Sequence, residues 1–501
     1  MNSYIKQFGE IGMADLAKVG GKNASLGEMF SSLSSFGIAI PNGFAVTAFA
    51  FESFLTRNAL HERLRTLMDR LDRKNYSNLN EIGAEARHLM LSGEMSDELK
   101  SAIETSYKSL FGDKDCDVAV RSSATAEDLP HASFAGQHDS FLNISGTDNL
   151  LETVKQCFAS LYTDRAIKYR ELNGFVHEHV ALSVGVQKMV RADKASSGVI
   201  FTIEPESGFR NVIHMSGVWG LGENIVQGIV TPDEFLIFKP ALQKRKNAII
   251  QKRLGSKTKT MIYGDKENKS VVNIDTPEEK RLQFVLTDEE ITRLANWALI
   301  IEDHYKLPMD IEWAKDGKTD EIFIIQARPE TVHSQKNPFL IKEYQLLEKG
   351  ITLSKGEAVG SKITTGAARI LGSPAETDKL KQGEIIVTDT TSPDWDPLLQ
   401  KAAAIVTNKG GRTSHAPIVA REMGVPAIVG CGNATTEIPD GEIITVSCSE
   451  GKTGFVYQGK LNYKITDHDF SKTQKPENTQ AMLIVADPDK AFGLSFYPND
   501  G

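Results

Sequence analysis

Apolar residues recur at helical spacing along residues 82–93 (IGAEARHLMLSG) and 152–174 (ETVKQCFASLYTDRAIKYRELNG), and the spacing predicts a helix over each. Residues 117–123 (DVAVRSS), 181–190 (ALSVGVQKMV) and 322–329 (IFIIQARP) are rich in β-branched residues and predict strands. From about 346 to 462 the pattern changes to brief apolar runs between glycines: 384–389 (EIIVTD), 403–408 (AAIVTN), 426–430 (PAIVG), 442–447 (EIITVS) and 454–459 (GFVYQG). Short strands this close together, with one obvious helix, predict a small mixed domain. The polar stretches 330–345 and 463–480 read as linkers. Residues 481–492 (AMLIVADPDKAF) read as one strand and a turn, and a lone strand does not make a domain.

At 501 residues the chain is long enough for two to four domains, each with its own core. A net charge of -9 argues against a nucleic-acid surface, which would need a basic face. No apolar run is long enough to span a bilayer, and the N-terminus lacks the basic-then-apolar pattern of a secretion signal. Cys116, Cys157, Cys431 and Cys448 are scattered, making neither a disulfide framework nor a CxxC site. Together these features point to a reducing cytoplasm.

Residues 308–330 (PMDIEWAKDGKTDEIFIIQARPE) read as two strands around an Asp-Gly turn. Alternation puts Asp310 and Glu312 on one face, and likewise Gln326 and Arg328. If the strands pair, oxygen ligands suited to Mg²⁺ and a guanidinium suited to phosphate share a surface. A solvated hairpin face with an ion pair fits the same spacing. In 120–137 (VRSSATAEDLPHASFAGQ), Arg121 ends a strand and leads into small hydroxyl residues whose N–H groups suit an anion; a serine-capped surface loop is the alternative. In 20–29 (GGKNASLGEM), Lys22 stands beside a helix start at Asn23 or Ser25, without the spacing of a P-loop. Residues 220–228 (GLGENIVQG) lack the GxGxxG spacing and read only as a glycine-rich turn. His177 and His179 read as surface residues, with no cluster to complete a metal site.

His415 is set differently, in 410–422 (GGRTSHAPIVARE). A strand leads into two glycines, Pro417 stands near the start of the next helix and Gly424 at its end. The histidine therefore lies at a helix N-terminus, where the partial positive charge disfavours imidazolium and favours a bound phosphoryl group. A neutral imidazole there can act as a nucleophile toward phosphorus. A helix-start histidine used only as a cap is the competing reading.

In this order, GGKNASLGE, VRSSATAED with SFAGQ, DIEW with QARPET, and GGRTSHA with VAREMGVPAIVG resemble the phosphoenolpyruvate synthases of the PEP-utilising enzyme family, to which pyruvate phosphate dikinase also belongs. Residues 195–209 (ASSGVIFTIEPESGF) and 391–397 (TSPDWDP) extend the likeness across essentially the whole chain. The resemblance implies a multidomain α/β (α+β) protein: an ATP-grasp domain over 1–335, a linker over 336–350, a swivelling phosphohistidine domain over 351–465, and a linker with the start of a further domain over 466–501. It implies the reaction of ATP, pyruvate and water to AMP, phosphoenolpyruvate and phosphate. Lys22 and Arg121 would contact the nucleotide phosphates, and Glu312 and Gln326 would hold Mg²⁺ with Asp310 and Arg328 beside them. His415 would carry the phosphoryl group, and Thr413 matches a position where a regulatory kinase or phosphorylase acts.

The family's third domain is a TIM barrel holding the pyruvate site, a second Mg²⁺ site and a cysteine proton donor. It is expected to begin where this sequence stops, at YPNDG, so no residue here is assigned to pyruvate or phosphoenolpyruvate. The reading expects neither nucleic-acid nor membrane partners and allows a homodimer. Its rivals are a pyruvate phosphate dikinase, a phosphotransferase with another acceptor such as a glucan or an antibiotic, and a non-catalytic binding protein.

Overall fold

The computed structural model describes residues 3–73, 76–112, 116–125, 140–172, 174–205, 208–264, 271–330, 340–376, 379–412 and 414–469, with 480 and 482. The expected strand at 481–492 falls outside this set apart from Met482, as does Thr413. Among the described residues no helix is long and apolar enough to cross a membrane.

The first sheet has five strands in the order Ile5–Gln7, Gly43–Val46, Leu182–Lys188, Val118–Ala124, Ser140–Ile144, all antiparallel. One face is covered by helices including Ala48–Arg57, Leu79–Ser92 and Thr147–Ser160, whose apolar residues close a common core with Val118, Val120, Val184 and Val186. The helix expected over 152–174 is two helices, Thr147–Ser160 and Asp164–Leu172. The break has a tertiary cause. Carbonyls at the junction are taken by side chains from elsewhere in the lobe: Arg170 Nη1 donates to Leu161 O at 2.7 Å and Arg87 Nη1 to Tyr162 O at 2.8 Å. The same cluster corrects the surface reading of His177. It is buried, with Nδ1 accepting from Arg170 Nε at 2.9 Å and Nε2 2.8 Å from Glu171, and burial pushes its pKa below the ordinary value. His179 is exposed.

The second sheet has six antiparallel strands, ordered Ile322–Pro329, Met309–Lys315, Ser196–Phe201, Val212–Trp219, Asp233–Phe238, Ile249–Arg253. Helices Leu16–Leu33 and Asp288–Tyr305 bury their apolar sides with Met309, Ile311 and Trp313. Those three alternate with Asp310 and Glu312, so packing the core fixes which face carries the carboxylates. Trp313 is fully buried, its Nε1 donates to Ser216 O at 3.3 Å, and it lies against Gly198 and Gly217, where a Cβ would come within 3.0 Å of the indole or nearer.

Residues 352–458 close into a seven-stranded barrel in the order Thr352–Val359, Ala427–Val429, Ala404–Thr407, Ile385–Thr388, Ile363–Ile370, Ile443–Ser447, Thr453–Gln458. Its neighbouring strands from Ile363–Ile370 through Ala427–Val429 run parallel, and the other pairs are antiparallel. With this mixed pairing it is unlike a TIM barrel, whose eight strands are all parallel. The short apolar runs expected as strands are these strands. They are apolar on both sides because Ile385, Val387, Ala404 and Val406 fill the interior, while Ile386 and Ile405 pack against helix His415–Met423.

The two stretches read as linkers are structured where they are described. Leu340–Leu346 pairs with Tyr463–Asp469 as a two-stranded antiparallel ribbon. Contacts such as His468 Nε2 to Glu343 at 2.9 Å and Lys342 to Asp467 at 3.5 Å lie along it. None of the ribbon's described side chains is buried, so no buried face marks it in the sequence.

Trp313→Ala is expected to lower the unfolding free energy by about 3–5 kcal/mol, the usual cost of emptying a buried aromatic site. A urea melt measures it; a midpoint equal to wild type would contradict the keystone role of this ring in the six-stranded sheet.

Candidate active site

Gly20 interrupts helix Leu16–Leu33 with φ 73° and ψ 167°, so the helix restarts at Gly21 and Lys22 stands in its first turn, close to where the sequence placed it. The break allows close approach: a Cβ on Gly20 would lie 2.4 Å from Ser123 O, on the Arg121 strand. The next residues complete the junction, with Asn23 N donating to Ser123 Oγ at 3.3 Å and Asn23 Nδ2 to Ser183 Oγ at 3.1 Å. Ser25 Oγ then donates to Ala327 O at 2.7 Å on the acidic hairpin. Arg121 reaches the same hairpin, donating from Nη1 to Ile325 O at 3.2 Å. The three separate motifs of the sequence are thus one neighbourhood.

In the hairpin, Asp310 pairs directly with Arg328 and Glu312 with Gln326. A register shift after Glu312 leaves Ile325 as the extra residue, which keeps Gln326 opposite Glu312. Arg328 donates Nε to Asp310 Oδ2 at 2.9 Å, and Nη2 lies 2.8 Å from the same oxygen. The connection is longer than a tight Asp-Gly turn. Asp316 organises it, accepting from Lys318 N at 2.7 Å and Thr319 N at 3.2 Å on one oxygen and from Arg191 N at 3.0 Å on the other. Burial raises the Asp316 carboxyl pKa, and these backbone donors outweigh it, leaving it below the ordinary value.

Among the described residues no three His, Cys, Asp or Glu side chains gather as a metal cluster. Glu312 and Gln326 offer one carboxylate and one amide oxygen, the sparse hard-oxygen set that fits Mg²⁺ when substrate phosphates supply further ligands.

Sequence reasoning missed Glu223, the first residue of the short helix Glu223–Val226 inside GLGENIVQG. Burial pushes its pKa up, opposed by the nearby Arg121 charge. The signal was an acidic residue inside a glycine-rich turn, which spacing alone does not place beside Arg121.

His415 begins helix His415–Met423, after Ser414 at the N-cap, and Gly424 ends it with φ 65°. The strand Ala404–Thr407, this helix and the parallel strand Ala427–Val429 form a βαβ unit, so the histidine sits beyond the carboxyl end of a strand, where ligand sites of such units lie. The ring is 6% exposed. Thr391 Oγ1 lies 3.2 Å from Nδ1 and Asp396 Oδ1 3.0 Å from Nε2; neither residue was singled out from the sequence.

The barrel rests on the six-stranded lobe through this same loop. Thr390 Oγ1 donates to Gln227 O at 2.9 Å, and a Cβ on Gly228 would lie 2.9 Å from Ser414 Cβ. Arg253 pairs with Glu357, and Arg165 lies 3.7 Å from Asp394. The start of the histidine helix, at Ser414, therefore packs against the 220–228 turn, whose Glu223 feels the Arg121 charge.

The family described as "Pyruvate phosphate dikinase, AMP/ATP-binding domain" matches residues 16–346, and "PEP-utilising enzyme, mobile domain" matches residues 380–451. The phosphoenolpyruvate synthase of Aquifex aeolicus is 49% identical over 98% of this chain and 59% of its own length. That of Synechocystis is 48% identical over 100% and 62%, and that of Escherichia coli 47% over 99% and 62%. The chain thus spans about three fifths of the length of these relatives. An NMR structure of Enzyme I overlaps 17% of this chain and 34% of its own at 27% identity, with a TM-score of 0.15, too low to bear on the fold. With its first family match covering well over half of its residues, this chain belongs to the pyruvate phosphate dikinase AMP/ATP-binding family and carries that family's companion mobile domain.

Proposed function

We propose that this chain performs the ATP-dependent phosphorylation of His415, the first half of a phosphoenolpyruvate synthase reaction. The observation that carries the reading is a helix-start histidine whose N-cap, Ser414, packs against the 220–228 turn of a lobe where the Lys22 helix, Arg121 and the acidic hairpin meet. The lobes of residues 1–335 would act as an ATP-grasp nucleotide domain, and the barrel as a swivelling carrier. Lys22, Arg121 and Arg328 would neutralise and orient the nucleotide phosphates, with Asp310 holding the Arg328 guanidinium in place. Glu312 and Gln326 would hold Mg²⁺, which when bound neutralises phosphate charge.

In the transfer itself His415 attacks the β-phosphorus of ATP, an N–P bond forms, the P–O bond to AMP breaks with its electron pair on oxygen, and water then releases the γ-phosphate as inorganic phosphate, leaving one phosphoryl group on the ring. The protein supplies positioning and charge neutralisation. The helix N-terminus favours the anionic phosphoryl group once it is on the ring. Pyruvate as final acceptor, with AMP, phosphoenolpyruvate and phosphate as products, follows the names of the relatives. No residue of this chain is assigned to that second half. Thr413 is the position proposed for regulatory phosphorylation.

A pyruvate phosphate dikinase would use the same histidine and nucleotide residues. A requirement for added inorganic phosphate in labelling would favour it over the synthase.

Incubation with β- and γ-labelled ATP and Mg²⁺, followed by intact mass, is expected to show an acid-labile gain of one phosphoryl group that His415→Ala abolishes. No gain under any nucleotide or pH condition would instead indicate a binding protein.

Glu312→Ala is expected to remove Mg²⁺-dependent labelling, with a loss of about 100-fold or more in rate, while the thermal melt stays cooperative. Undiminished labelling in a well-folded variant would refute the metal role.

A further inference from the structure

Residues 391–397 (TSPDWDP) wrap the imidazole. Thr391 is 3% exposed and meets Nδ1; Asp396 meets Nε2 from the other side. Packing, not chance rotamers, holds the pair there. Between them runs the 3₁₀ turn Pro393–Trp395, whose indole is 4% exposed, and Asp396 opens the short helix Asp396–Leu399. Leu398 and Leu399 share a core with Ala416, Val419 and Ala420 of the histidine helix. Every one of these groups belongs to the barrel, so the clamp on the ring travels with the histidine wherever the barrel goes.

We propose that Asp396 is a positioning residue for His415, its carboxylate packed 3.0 Å from Nε2 while the Thr391 hydroxyl hydrogen-bonds Nδ1, so that the ring is presented to the phosphoryl donor in one orientation. The inference rests on the phosphohistidine reading above. A ring hydrogen-bonded at one nitrogen can still turn about its Cβ–Cγ bond; a carboxylate packed 3.0 Å from the other nitrogen limits that turn. A carboxylate beside Nε2 favours the proton there, and the Thr391 hydroxyl then donates to Nδ1. Transfer onto Nδ1 requires the Thr391 hydroxyl to turn aside and free the lone pair; the Nε2 proton then stays beside Asp396, whose charge stabilises the cationic ring formed as the N–P bond is made and the nucleotide P–O bond breaks. Transfer onto Nε2 needs the proton on Nδ1, with Thr391 accepting, and the carboxylate turned aside. On either course these two side chains determine which nitrogen is offered.

The test uses the full chain as wild type, Asp396→Ala, Asp396→Asn and Thr391→Val, with labelled ATP and Mg²⁺. It reads the labelling rate against ATP concentration and the phosphohistidine isomer by phosphorus NMR. Wild type is expected to give one isomer. Asp396→Ala is expected to slow the saturating rate about 10- to 100-fold, leave the half-saturating ATP concentration unchanged, and give both isomers. Asp396→Asn, whose amide still reaches Nε2, is expected to keep one isomer at a rate reduced several-fold, and Thr391→Val to give both isomers. An unchanged rate and single isomer in Asp396→Ala, or an isomer mixture in wild type, overturns the proposal. If Asp396→Ala fails to fold, an unchanged rate in Asp396→Asn overturns it. A wild-type chain that takes no label at all refutes the phosphohistidine reading and this inference with it, whereas failure confined to the variants refutes the clamp alone.

Discussion

The contact between Gly228 and Ser414 is the constraint on which the rest depends. A Cβ on Gly228 would lie 2.9 Å from Ser414 Cβ and 3.3 Å from Gly410 Cα, so the turn comes this close only by lacking a side chain; Gly228 has φ 66° and Gly410 φ 104°. This is what sets the start of the histidine helix on one folded body against a glycine-rich turn on another. The charged contacts around it, Arg253 with Glu357 and Arg165 with Asp394, are largely solvent-facing and so individually weak. The seat is thus one tight contact at a glycine with a rim of weak ion pairs.

The pocket side is assembled by the same device. Gly20 lets a helix start run against the Arg121 strand, and Asn23 and Ser25 then tie that helix to the first sheet and to the hairpin. Two sheets with separate cores are joined through one helix, and the charged residues line the join. Burial is what gives these groups their character. Glu223 has its pKa raised by burial and opposed by the Arg121 charge.

Alternation made much of this legible. The run MDIEWAK shows its face assignment because Met309, Ile311 and Trp313 must go into the core, leaving Asp310 and Glu312 outside. Pro417 and Gly424 bracketed the histidine helix for equally local reasons. The Leu340–Leu346 and Tyr463–Asp469 ribbon was illegible because it buries no face, and the break after Ser160 because its carbonyls are satisfied by Arg87 and Arg170 from other turns of the chain.

By itself, then, the sequence determined the strands, the helix behind the glycines and the residue types able to do phosphate chemistry, since periodicity, caps and glycine placement act over a few residues. Only the tertiary structure decided that Lys22, Arg121 and the hairpin share one neighbourhood, that Glu223 joins them, and that Thr391 and Asp396 grip the imidazole. Those relations are contacts between residues far apart in the chain or across a turn, created by the packing of two sheets and a barrel, and no local pattern encodes a distance between separate elements.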